Sequence, residues 1–167
     1  MSSKMSQLAL AISALMLGNG AALAVTDTAD LSVTATVSTT CIISNGTLAF
    51  GSYDPLSASP TDGDSGSTVT VQCTNLQTYQ IYSTTALADR KMVADGGGTA
   101  RELTYKLYAS SANRSAGTEL PVTKTTGTLA GTGTGLLQYV TIYGRIAAGQ
   151  NVYPGSYSGT ANLTLDY

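Results

Sequence analysis

Beyond the first two dozen residues, apolar side chains recur at every second position, in short runs cut by Gly, Pro, Asn and Asp. No ten-residue stretch there sustains a helical period. A period of two puts alternate side chains on opposite faces of an extended backbone, which makes a strand with one buried face. The runs are Thr47–Tyr53, Ser67–Cys73, Gln77–Ser83, Arg101–Tyr108, Leu137–Ile146 and Ser156–Tyr167. Val69, Val71 and Cys73 face one way, as do Tyr79 with Ile81, and Leu103 with Tyr105 and Leu107. In the last run Ala161, Leu163, Leu165 and Tyr167 share a face. Asp54–Ser67 and Thr125–Gly135 read as loops, rich in turn residues. About seven to nine short strands with turns between them predict an all-β, immunoglobulin-like sandwich. No internal repeat points to a propeller or solenoid.

The first residues stand outside this pattern. Lys4 precedes an apolar run, Leu8–Leu17, that is too short to span a bilayer. Ala22-Leu23-Ala24 then supplies a small-x-small cleavage signature, so residues 1–24 read as a secretory signal peptide. The small-residue end fits a peptidase better than the alternative, a lipid-embedded anchor. Cleavage leaves one domain by length. Lys4 leaves with the signal, so seven of the eight basic residues remain to face ten acidic ones. That balance carries no basic run to neutralise a row of phosphates, and nucleic acid is not an expected partner.

The two cysteines, Cys41 and Cys73, read as a disulfide in an exported chain. Closing that loop is worth about 3–4 kcal/mol in the chain-entropy account. A metal-binding pair is the rival, but the chain has no histidine and the spacing matches no zinc pattern. The same lack of histidine removes every nucleophile–histidine arrangement. The carboxylates are scattered through loops and turns, so no enzyme, metal or cofactor is expected. Asp62-Gly63-Asp64 matches only a fragment of a calcium loop. Gly131, Gly133 and Gly135 lack the Lys and the helix of a phosphate loop. The ten tyrosines read as half-buried sheet residues, with a sugar-stacking platform as the alternative.

One alternating run remains, at the front of the mature chain. In Ala29–Cys41, Leu31, Val33, Ala35 and Val37 are apolar, and Asp30, Ser32, Thr34 and Thr36 are polar. This strand completes either its own sheet or a neighbour's. Six patches bear on the choice: Phe50–Tyr53 (FGSY), Val69–Cys73 (VTVQC), Arg90–Met92 (RKM), Leu103–Tyr108 (LTYKLY), Tyr143–Gln150 (YGRIAAGQ) and Pro154–Thr160 (PGSYSGT). In this order, over nearly the whole mature chain, they resemble the spore coat protein U domain, a family that includes subunits of archaic, Csu-type chaperone–usher pili.

The resemblance implies an immunoglobulin-like sandwich lacking its final strand, with a groove in its place. A periplasmic chaperone fills that groove first. The N-terminal strand of the next identical or related subunit replaces it during assembly through an outer-membrane usher. Ala29, Leu31, Val33, Ala35 and Val37 are then the donor face. The implied division is signal peptide 1–24, donor extension 25–40 and pilin-like domain 41–167. By analogy with related pilins, Leu163, Leu165 and Tyr167 are the chaperone and groove contacts. The implied location is the periplasm in transit and the cell surface afterwards, with a role in adhesion and biofilm. A secreted coat protein and a tip-associated adhesin stand as alternatives to a shaft subunit.

Overall fold

The computed structural model describes residues 24–63, 68–125 and 129–167. The expected signal peptide, apart from Ala24, lies outside the described residues. The chain divides into an N-terminal unit ending at Thr36 and a domain from Val37 to Tyr167. Residues 24–36 belong to no strand, and every one is exposed.

The domain is all-β. Its strands are β1 (Cys41–Ile43), β2 (Thr61–Gly63), β3 (Thr68–Cys73), β4 (Thr78–Ser83), β5 (Lys91–Val93), β6 (Glu102–Thr104), β7 (Lys106–Tyr108), β8 (Ala130–Thr132), β9 (Leu137–Thr141), β10 (Tyr143–Ile146) and β11 (Leu163–Asp166). They form antiparallel sheets in the orders β1-β3-β9, β2-β10-β7 and β11-β4-β8, with β5 and β6 as a separate pair. Alternation decides which face is buried. Val69, Val71 and Cys73 of β3 meet Tyr79 and Ile81 of β4 in one core, so the β1-β3-β9 and β11-β4-β8 sheets close on each other. A second core gathers Leu103, Tyr105, Leu107, Leu120, Ile142 and Ile146.

Several elements depart from the sequence expectation. The run 137–146 is two strands, because the chain changes sheets at Ile142. Val140 still packs on the first core, whereas Ile142 is buried in the second. The run 101–108 likewise splits at Tyr105 between β6 and β7. The predicted loops 54–67 and 125–135 contain the short strands β2 and β8, each formed by pairing to a neighbour rather than by its own apolar pattern. A six-residue helix, α1 (Ser111–Ala116), was not expected, since it buries no residue and so carries no apolar stripe. Its signals are local. The Asn113 N–H donates to the Ser110 hydroxyl at its start, and Gly117 closes it in the left-handed region.

Cys41 and Cys73 form a disulfide, with Cα atoms 4.1 Å apart. They are direct register partners at the end of the β1–β3 ladder. The bridge therefore pins the chain to the domain at the point where it enters the fold.

Candidate functional site

Among the edge strands of these sheets are β1 and β11. β1 pairs only with β3, and β11 pairs only with β4. Beside them lies an open groove of about 570 Å³, lined by Ile43 of β1 and Leu163 of β11 among others. One wall is the segment that follows β1, residues 43–48 with Phe50, and the other is residues 159–163, leading into β11. Val69, Met92, Tyr105, Leu107 and Ile142 form its floor, reaching into both cores. No charged side chain is among the lining residues.

The first wall is strand-like without a ladder. Leu48 and Phe50 are half-buried while Thr47 and Ala49 are exposed, which is a period of two. Yet the predicted strand Thr47–Tyr53 pairs with nothing among the described residues. A strand needs a neighbour for its N–H and C=O groups, and on the groove side there is none. The second wall has the same character. Ser158 bridges to Val93, and β11 begins only at Leu163, so residues 159–161 cross the gap outside any ladder.

Two glycines set the first wall in place. Gly63 of β2 and Gly144 of β10 are register partners and together make a patch free of side chains. Leu48 and Phe50 lie on that patch. A Cβ on Gly144 would sit 2.7 Å from the Leu48 Cδ2 and the Phe50 Cζ, and one on Gly63 would sit 2.8 Å from the Phe50 Cδ1. Tyr53 anchors the far end, its hydroxyl donating to the Ala147 carbonyl (3.1 Å) and accepting from the Gln150 N–H (2.7 Å).

The structure separates the three residues expected at the groove. Leu163 lines it. Leu165 is half-buried against the first core instead. Tyr167 is exposed and borders a different depression, beside Lys124, Gln80 and Thr132. The floor and first-wall residues were missed as groove positions. Their sequence signal was alternation alone, at Val69, at Tyr105 with Leu107, and at Leu48 with Phe50, which marks an inward face and not a groove. Leu31, Val33 and Val37, expected from the resemblance to form a donor face, are each more than four-fifths exposed, at 86%, 81% and 83%.

The titratable groups sit away from the groove lining, with one exception. Burial pushes the Tyr105 hydroxyl above its ordinary value, against an opposing effect of Arg90. Arg90 is itself buried and donates through Nη2 to the Leu120 carbonyl at 2.8 Å. Asp62, part of the calcium-like triplet, is engaged by arginines: Arg145 holds it bidentately at 2.6 and 2.9 Å, and Arg114 stands at 3.4 Å.

A disulfide-stapled all-β domain with an open, uncharged groove is the class of protein these features define. The family model of the Spore Coat Protein U domain matches residues 27–164, and the chain belongs to that family. It is 32% identical to "Protein U" of Myxococcus xanthus over 165 residues, covering 86% of this chain and 87% of that protein. Among solved structures it is similar to one described as the CsuC–CsuE chaperone–tip adhesion subunit pre-assembly complex from archaic chaperone–usher Csu pili of Acinetobacter baumannii. That likeness has a TM-score of 0.47 and 16% identity, covering 79% of this chain and 40% of that chain.

Proposed function

We propose that this chain is a structural, non-catalytic subunit of a surface fibre assembled by a chaperone–usher pathway, joined to its neighbours by donor-strand complementation. The observation that carries this reading is a match within one sequence. The domain has an uncharged groove whose two walls lie mostly outside any ladder, and the same chain carries an exposed, alternating apolar segment. A strand laid in the groove would pair with the unladdered backbone of its two walls, residues 44–48 and 159–162, and cover the floor. Leu31, Val33 and Val37 would enter as apolar knobs, each worth up to about 1.5–3 kcal/mol when fully buried. Ala29 and Ala35 suit shallower positions. Donation from one copy to the next is heterologous and does not close, so it builds a filament.

A periplasmic chaperone would occupy the groove beforehand, and an outer-membrane usher would exchange it for the incoming donor. Export through the residue 1–24 signal and a final place on the cell surface belong to this reading, as do adhesion and biofilm formation. A coat role, suggested by the family's description, would use the same groove without the usher.

The test is complementation. A chain lacking residues 25–37 is mixed with a synthetic peptide of residues 27–39. The expected product is a one-to-one complex that survives SDS without heating, whereas a peptide carrying Val33→Asp forms none. If the truncated chain takes up neither peptide, or both equally, the groove is not a strand acceptor.

A further inference from the structure

The geometry points to Leu76 and Leu136 as an apolar contact with the next copy of this chain, at the pole from which the donor segment leaves. This inference rests on the strand-donation reading above. The ladder between β1 and β3 continues one step past the disulfide. The Thr74 N–H donates to the Thr40 carbonyl at 2.9 Å, and the Thr40 N–H donates to the Thr74 hydroxyl at 2.9 Å. The chain is thus fixed to its own domain from Thr40 onward. Val37, the last apolar residue of the donor face, stands only three residues earlier. A fully extended chain covers at most about 10–11 Å in three residues. A subunit that has swallowed Val37 therefore has its groove mouth within that distance of Thr40. The surface around Thr40 has no choice but to face the receiving copy.

Two loops form that surface. The Leu76 N–H donates to the Gly133 carbonyl at 2.8 Å, and the Gly135 N–H donates to the Cys73 carbonyl at 3.0 Å. These bonds bring residues 74–77 and 133–136 together beside Thr40, with no charged side chain in either. Leu76 is 78% exposed and Leu136 is 72% exposed. Leu76 also has φ of +64°, the only non-glycine with positive φ among the described residues. A bulky side chain is strained there, where Gly or Asn would serve the turn at less cost. The turn alone gives no reason for a leucine, whereas a partner surface held by a three-residue tether does. With this contact the joint between consecutive subunits is held at two places and resists bending. Without it the tether alone would act as a hinge.

Fibres sheared from cells making the full chain are compared with those of Leu76→Asp/Leu136→Asp and of Leu76→Gly, which removes the side chain and relieves the strain. Two quantities are read: the heat-sensitive ladder on SDS gels, and the persistence length of single fibres by electron microscopy. The expected result is an unchanged ladder in every variant with a several-fold shorter persistence length in the double variant, and a smaller drop for Leu76→Gly. An unchanged ladder with unchanged stiffness overturns the contact and leaves strand donation standing. A wild-type chain that yields no ladder overturns strand donation, and the contact with it.

Discussion

Gly144 shows how a single missing side chain shapes the groove. It faces Gly63 across the β2–β10 ladder, and the two backbones leave a shelf on which Leu48 and Phe50 rest. Gly144→Val would drive methyl groups into both side chains. Overpacking of this kind costs about 1–3 kcal/mol. We expect a lower unfolding midpoint in urea and a displaced first wall, read as lost binding of the donor peptide. In sequence this glycine appeared only inside the Tyr143–Gln150 patch, and its packing role could not be read there, because that role depends on residues nearly a hundred positions away. The inward positions of β3 and β4 were legible, since Val69, Val71, Cys73, Tyr79 and Ile81 reveal themselves by local alternation alone. Leu165 and Tyr167 were not. Both follow Leu163 on one face of an ideal strand, yet the groove ends at Leu163 and the chain runs on past it.

At the scale of elements, β2 shows what pairing can do for a weak strand. Two of the three residues in its sequence, Thr-Asp-Gly, are ones that strands disfavour, and it is only three residues long. Asp62 and Arg145 are direct cross-strand partners, joined bidentately. The hydrogen bond from Arg145 holds the Asp62 carboxyl below its ordinary value of 3.8, with further help from the Arg114 charge and against the effect of burial. A carboxyl whose folded pKa is lowered stabilises the fold fully above its unfolded pKa, and that contribution disappears as pH falls through the folded value. Asp62→Asn is therefore expected to be less stable than the wild type at neutral pH, and by a smaller margin at an acid pH below the ordinary value of 3.8, as measured by denaturant unfolding at each pH. An equal gap at both would assign the effect to packing. The breaks at Tyr105 and Ile142 belong to this scale too. Each run reads as one strand in sequence, and only the sheet on either side of it reveals that the chain changes partners. The stretch Thr47–Tyr53 is the reverse case, a strand in sequence that forms no ladder with any described residue.

Taken whole, the molecule combines a domain closed by a disulfide with an exposed N-terminal stretch that lies outside its strands. The all-β class and the pinning of the chain at Cys41 were both legible in sequence, because both rest on local pattern or on the simple pairing of two cysteines. The groove was legible only as an implication of family resemblance. Its walls come from residues 43–50 and 159–163, more than a hundred positions apart, and no local pattern records that they meet. The central claim is that the alternating segment completes another copy's fold. It is tested most directly by comparing heated and unheated gels of surface-sheared material from cells making either the full chain or a chain lacking residues 25–37. The account predicts a ladder of SDS-resistant polymers for the full chain, collapsing to one band on heating, and no ladder for the truncated chain. A truncated chain that still forms long SDS-resistant polymers would contradict it.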